Sequence, residues 1–118
     1  MSQLKFLQLN CHKSKAVTSN LNNALLRDVS VALLQEPHTY KDEIVGLGSY
    51  NVMHGASLGT RPRAAIVTPR HINAWFEKEF SDQDIAVAVV KDGHREAYIV
   101  SLYLDILRPV QDLSLIHI

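Results

Sequence analysis

The sequence predicts one α/β domain, and three observations carry that prediction. A strand, helix, strand pattern spans Leu4 to Glu36, a nearly continuous apolar run closes it, and the rest of the chain breaks into short β-prone segments without a second helical period. The 118 residues are 47% hydrophobic and 20% charged, which suits a single domain with its own core.

The first strand is read from Leu4, Phe6, Leu7 and Leu9, partly interrupted by polar residues and ending near Asn10. Ser14 is placed to cap a helix whose Val17, Leu21, Ala24 and Leu25 fall at i, i+4, i+7 and i+8, one face of a 3.6-residue period. That helix is expected to run to about Arg27, where Asp28 breaks it. "VSVALLQE" then reads as a strand buried on both faces and closed by Gln35-Glu36-Pro37. Its separation from the first strand suits a parallel β-α-β crossover. Pro37 to Ser49 shows little periodicity and is expected to be a loop with room for one helical turn. Beyond it, "YNVMHG", "RAAIVTP", "NAWFEK", "DIAVAVVKD" and "EAYIVSLYL" are short strands separated by Gly, Pro or charged turns, so the second half is expected to be mostly antiparallel.

Composition removes several function classes. Twelve basic residues balance twelve acidic ones, so any charged partner is met by a local patch rather than a charged tail. Cys11 is the single cysteine, which excludes an intramolecular disulfide, and neither a CxxC spacing nor paired histidines offers a zinc site. No apolar run is long enough to span a bilayer and no signal peptide opens the chain, so an intracellular protein with no membrane partner, not secreted, is expected.

Chemistry is expected where the first two strands end. In an α/β sheet ligands bind outside the carboxyl ends of the strands, and Asn10 and Glu36 fall at such ends on strands expected to be neighbours. A carboxylate beside a carboxamide makes a hard oxygen site suited to Mg²⁺, which keeps several waters and completes its shell with phosphate oxygens. Spacing alone also allows Asn10 to cap a turn and Glu36 to be a solvated strand end. Arg61 and Arg63 flank Pro62 ahead of an apolar strand, either to grip phosphate or as an ordinary solvated turn. Lys13 and Lys15 read as solvent-facing or as contacts to a nucleic-acid backbone. His12 and His38 adjoin the site without being expected to ligate a metal. Cys11 reads as a small buried residue, and Trp75 with Phe76 as core.

"LQLNCHKSKAVTSNL", followed by "VALLQEPHTYKDEIVGLG" and then "RPRAAIVTP", resembles the amino-terminal endonuclease domain of non-long-terminal-repeat, LINE-type retrotransposons, a branch of the endonuclease/exonuclease/phosphatase superfamily. The resemblance runs from residue 4 to about 108, and the pairing of "QLN" with "LLQEP" is its most specific part. It implies an α/β fold in which a two-sheet β-sandwich is flanked by helices in a four-layer αββα arrangement, with only the amino-terminal part present in residues 1–112. It implies that Asn10 helps organise an active site, that Glu36 binds divalent metal, Mg²⁺, and that Tyr103 in "YIVSLYLD" donates to the scissile phosphate. Relatives often carry Pro where this chain has Asp105, which leaves the role of Asp105 open. The alternative is that Tyr103 is a core aromatic with its hydroxyl at the rim.

The implied function is that of a DNA endonuclease nicking a target site in the nucleus, with the 3′ hydroxyl priming reverse transcription by a downstream reverse-transcriptase domain. A repair endonuclease or phosphoesterase of the same superfamily is the nearest alternative. A non-catalytic remnant or binding module is the alternative from another class. Family members carry later Gly-Asp-x-Asn and Ser-Asp-His segments that supply a general base and a transition-state donor, and this sequence has neither, so the chain as given is expected to be inactive and to leave apolar faces and strand edges uncovered. Asp82-Gln83-Asp84 and Lys91-Asp92-Gly93-His94 hold the residue types in another order and take no catalytic role. The last six residues, "LSLIHI", match one frame of CTG TCT CTT ATA CAC ATC, the end sequence of a transposase used in preparing sequencing libraries. Residues 113–118 are therefore read as translated adaptor, or else as a final apolar strand.

Overall fold

In the computed structural model, which describes residues 4–27 and 29–104, the chain opens with the expected crossover. Strand β1 (Phe6–Asn10) and strand β2 (Val31–Gln35) pair in parallel, in register from Phe6 opposite Val31 to Asn10 opposite Gln35. Between them lies helix α1 (Lys15–Arg27), capped as its sequence predicts: the Val17 N–H donates to Ser14 Oγ at 3.3 Å, satisfying one of the amide groups a helix start leaves over. Leu21 on α1 is buried, and Val17 packs beside it.

The segment expected to be a loop instead makes a tight hairpin of β3 (Thr39–Tyr40) and β4 (Glu43–Ile44). Lys41 and Asp42 between them both take positive φ, 51° and 65°. That is the backbone of a type I′ turn, whose twist matches paired strands. Sequence signals for such a turn are usually Asn-Gly or Asp-Gly, and Lys-Asp carries neither, so the turn was not legible there.

The remaining strands are antiparallel, as expected. β5 (Asn51–Met53) and β6 (Ala64–Thr68) extend the first sheet, giving the order β1-β2-β6-β5. β7 (Asn73–Phe76), β8 (Ile85–Asp92) and β9 (Arg95–Leu102) form the second sheet with β8 central. A single 3₁₀ turn, Lys78–Phe80, links β7 to the approach of β8.

Alternation along β2 and β6 explains why both strands are apolar throughout. Ala32, Leu34, Ala65 and Val67 face α1, where they pack with Leu21, Cys11, Leu47 and Tyr50. Val31 and Ile66 face the other way and pack against Ala86, Ala88 and Val90 of the second sheet. The result is a helix layer and two packed sheets, the sandwich core of the expected fold. The outer face of the second sheet carries Trp75 and Tyr98 across Val89, and the one α-helix among the described residues, α1, packs on the first sheet instead. Phe76 packs into the core as expected, whereas Trp75 lies on that outer face and is 40% exposed.

One glycine is required by close approach. A Cβ on Gly55 would lie 2.6 Å from Ser81 Cβ and 2.7 Å from the Ser81 carbonyl carbon, so only glycine lets the 54–60 loop run beside the 81–84 turn. Asp105 and residues 113–118 lie outside the described residues.

Core burial and surface exposure set contrasting expectations. Ile66 is fully buried between the sheets, so Ile66→Ala removes its packing on both sides and is expected to cost about 2–5 kcal/mol in chemical denaturation. Leu58 stands wholly in solvent, and Leu58→Ala is expected to stay within about 0.5 kcal/mol of the parent. A second expectation concerns pH. Burial pushes the Cys11 thiol up to about 11, above the ordinary value of about 8.5 that it regains on unfolding. The unfolded chain therefore loses this proton first, and stability that is present below the ordinary value should fall as pH rises toward 11. Comparing the parent with Cys11→Ala across that window isolates the contribution, because the variant lacks this part of the slope.

Candidate active site

Asn10 ends β1 and the chain turns at once. Its Oδ1 accepts the His12 N–H at 2.9 Å, while His12 and Lys13 both adopt left-handed backbone, φ 49° and 60°. This Asx turn explains the polar run: Asn supplies a side-chain acceptor that closes a turn at a strand end. It also orients the carboxamide, since only the oxygen can accept from an amide N–H, which leaves Nδ2 as the donor side.

Glu36 follows β2 directly and is itself left-handed, φ 48°. Its N–H donates to the Arg63 carbonyl at 2.9 Å, and its carbonyl accepts the Lys13 N–H at 2.8 Å. Because Asn10 is in register with Gln35, Glu36 stands one residue past the partner of Asn10, at the carboxyl ends of the two parallel strands. The half-buried Glu36 and the exposed Asn10 are therefore neighbours through the sheet, as the sequence suggested.

Gln8, Asn10, Gln35, Leu102, Tyr103 and Leu104 line an open depression of ≈ 520 Å³ on the side of β1 turned away from α1. Tyr103 is thus brought to the same rim as Asn10. Gln35 enters it in a role that sequence reading missed: its Nε2 donates to Ser101 Oγ at 3.1 Å, and that hydroxyl donates to the Leu34 carbonyl at 2.8 Å. Both side chains are buried, so the pair fastens the first sheet to β9 beside the depression. An isolated polar residue in an apolar strand run was the available signal.

Arg63 was read either as gripping phosphate or as part of a solvated turn, and the structure shows neither: its guanidinium is engaged inside the protein. Nε donates to Asp84 Oδ1 at 2.6 Å and Nη2 to Asp84 Oδ2 at 2.9 Å. The guanidinium carbon lies 5.2 Å from the centre of the Tyr103 ring. Arg61 sits two residues earlier, with its carbonyl accepting Gln83 Nε2 at 2.9 Å.

The other polar neighbours keep lesser places. His38 Nδ1 donates to the Lys13 carbonyl at 3.2 Å, since a carbonyl can only accept. His12, Lys13 and Lys15 are exposed, and Cys11 is buried. Among the described residues no three His, Cys, Asp or Glu side chains gather to hold a metal. Glu36 does not line the depression itself; it stands one residue past Gln35, which does, and so brings a carboxylate to the strand end next to that of Asn10. A second hollow of ≈ 480 Å³ runs along α1 between Lys15, Asn23 and His38, on the opposite face of the first sheet from Tyr103.

No family model matches the chain, and no curated protein matches it in sequence. Among solved structures, the endonuclease domain of TRAS1, a telomere-specific non-LTR retrotransposon, is similar with a TM-score of 0.77 and 23% identity, over 94% of this chain and 49% of that one. The chain spans about half the length of that neighbour. With two packed sheets and a helix on the first, the chain has the fold of the part of a non-LTR retrotransposon endonuclease domain that it covers.

Proposed function

We propose that the chain is the amino-terminal part of a Mg²⁺-dependent DNA endonuclease that nicks target DNA in the nucleus, so that the freed 3′ hydroxyl primes reverse transcription by a downstream polymerase domain. The observation that carries this reading is the meeting of Asn10 and Tyr103 in one depression, with Glu36 one residue beyond the strand partner of Asn10. The name of the structural neighbour, an endonuclease domain, supports a DNA substrate. The open form of the depression favours a polymer backbone over a small phosphoester, which is better held in an enclosed pocket.

Glu36 supplies hard carboxylate oxygens, while Asn10, whose Oδ1 already accepts the His12 N–H, turns its Nδ2 to the substrate side. A single carboxylate suits Mg²⁺, which keeps most of its water and takes its other ligands from phosphate, better than a metal needing a full protein cage. Mg²⁺ when bound supplies charge stabilisation at the departing oxygen. The Tyr103 hydroxyl donates to a non-bridging phosphate oxygen, and Asn10 Nδ2 donates beside it. Arg61 contacts the DNA backbone and fixes register without reading sequence.

Turnover needs more than these groups. A general base and a transition-state donor each contribute factors of about 10² to 10⁴, and the segments that supply them in relatives are absent from this sequence. The chain on its own is therefore inactive or close to it.

Two measurements test the reading. Mn²⁺ added as a paramagnetic substitute should broaden the amide resonances of Asn10, Glu36 and Tyr103 selectively, and Glu36→Gln should abolish the effect; broadening that survives the substitution would put the cation elsewhere. Supercoiled plasmid incubated with the chain and Mg²⁺ should stay unnicked. Nicking that disappears in Glu36→Ala would show that these residues suffice for catalysis and overturn the incomplete-site reading.

A further inference from the structure

We infer that Arg63 and Asp84 form a clamp that sets Tyr103 relative to Glu36, making both positioning residues rather than contacts to the substrate. The inference rests on the role proposed for Tyr103 at the depression.

The clamp begins with a buried carboxylate. Asp84 is 3% exposed, and its backbone N–H is fixed by Asp82 Oδ1 at 2.8 Å. Arg63 meets it with a two-nitrogen fork, the geometry in which a guanidinium matches a carboxylate and fixes its own plane. The guanidinium carbon lies 5.2 Å from the Tyr103 ring centre, within reach of a cation–π contact. Asp84 also holds Tyr103 directly, since its carbonyl accepts the Tyr103 N–H at 2.8 Å. Tyr103 is thus held through its main chain and its ring by one ion pair.

Arg63 reaches the other side of the site through its backbone. Its carbonyl accepts the Glu36 N–H at 2.9 Å, and its own N–H donates to the Gln83 carbonyl at 2.8 Å. One residue therefore joins the left-handed backbone of Glu36 to the ring of Tyr103. A guanidinium held by a buried carboxylate cannot turn toward phosphate without unpairing that charge, which is costly. This is why the structure assigns Arg63 to positioning.

The test reads Tyr103 without DNA or metal. The chain has four tyrosines, so uniform 3-fluorotyrosine labelling gives a ¹⁹F spectrum in which Tyr103→Phe identifies the resonance of interest. In Arg63→Gln and in the near-isosteric Asp84→Asn, the Tyr103 resonance should shift while those of Tyr40, Tyr50 and Tyr98 hold their positions. Arg63→Lys keeps the charge but loses the planar fork, so it should restore thermal stability in part and leave the Tyr103 shift unrestored. The inference is overturned if Tyr103 does not move in a folded Arg63→Gln or Asp84→Asn chain, if Lys restores the wild-type signal, or if all four resonances move together in both variants. If Tyr103 follows Arg63 yet does not respond to an added DNA duplex, the positioning stands and the phosphate-donor role falls.

Discussion

Three parts of the chain converge on the backbone of Glu36. Its N–H is taken by the lead-in to β6 and its carbonyl by the turn between β1 and α1, while its φ of 48° swings the chain out of β2 between them. A left-handed L-residue costs roughly 1–2 kcal/mol, and two backbone hydrogen bonds return about 0.5–1.5 kcal/mol each, so the kink is sustained only while both partners stay in place. The β1 turn, the Arg61 to Arg63 segment and the carboxylate of Glu36 are consequently placed as a unit. Residues held in sparsely populated backbone regions cluster at functional sites, and here the kink coincides with the strand end where a ligand is expected.

The relative placement of the sheets depends on a different kind of contact. Apolar packing between Ile66, Val31 and the alanines of β8 is strong but non-directional, and by itself permits the sheets to slide. The chain from Gln35 through Ser101 to the Leu34 carbonyl is directional, and each member would cost about 1–3 kcal/mol if buried unpaired. It pins β9 at its carboxyl end, two residues before Tyr103. Sheet registry and site geometry are therefore fixed by neighbouring residues of the same strand.

How much of this was legible in sequence depends on whether the cause was local. The first crossover was readable because its signals are periodic and close: Ser14 as cap, Val17 and Leu21 on one face, and an apolar strand whose two buried faces leave no alternation. That Asn10 and Glu36 end adjacent parallel strands was readable from the same pattern, whereas the roles proposed for them came from the family resemblance and not from spacing. The hairpin at Lys41-Asp42 was not readable, because Asp tolerates left-handed backbone but Lys41 does not favour it, and no glycine marks the turn. Arg63 was readable as a cation but not as a paired one, since its partner lies 21 positions away across two strands. Gln35 and Ser101, 66 positions apart, were beyond any local pattern.

The position of the single tryptophan gives this molecule an uneven optical character. Trp75 stands on the outer face of the second sheet, with the whole sandwich between its indole and the α1 layer, while Tyr103 sits at the depression. Intrinsic tryptophan emission is consequently a gauge of the outer surface of the second sheet. Binding events at the rim are best followed in the absorbance of the phenols, and a change in indole emission on adding a ligand would signal an encounter or a rearrangement at the far side of the sandwich.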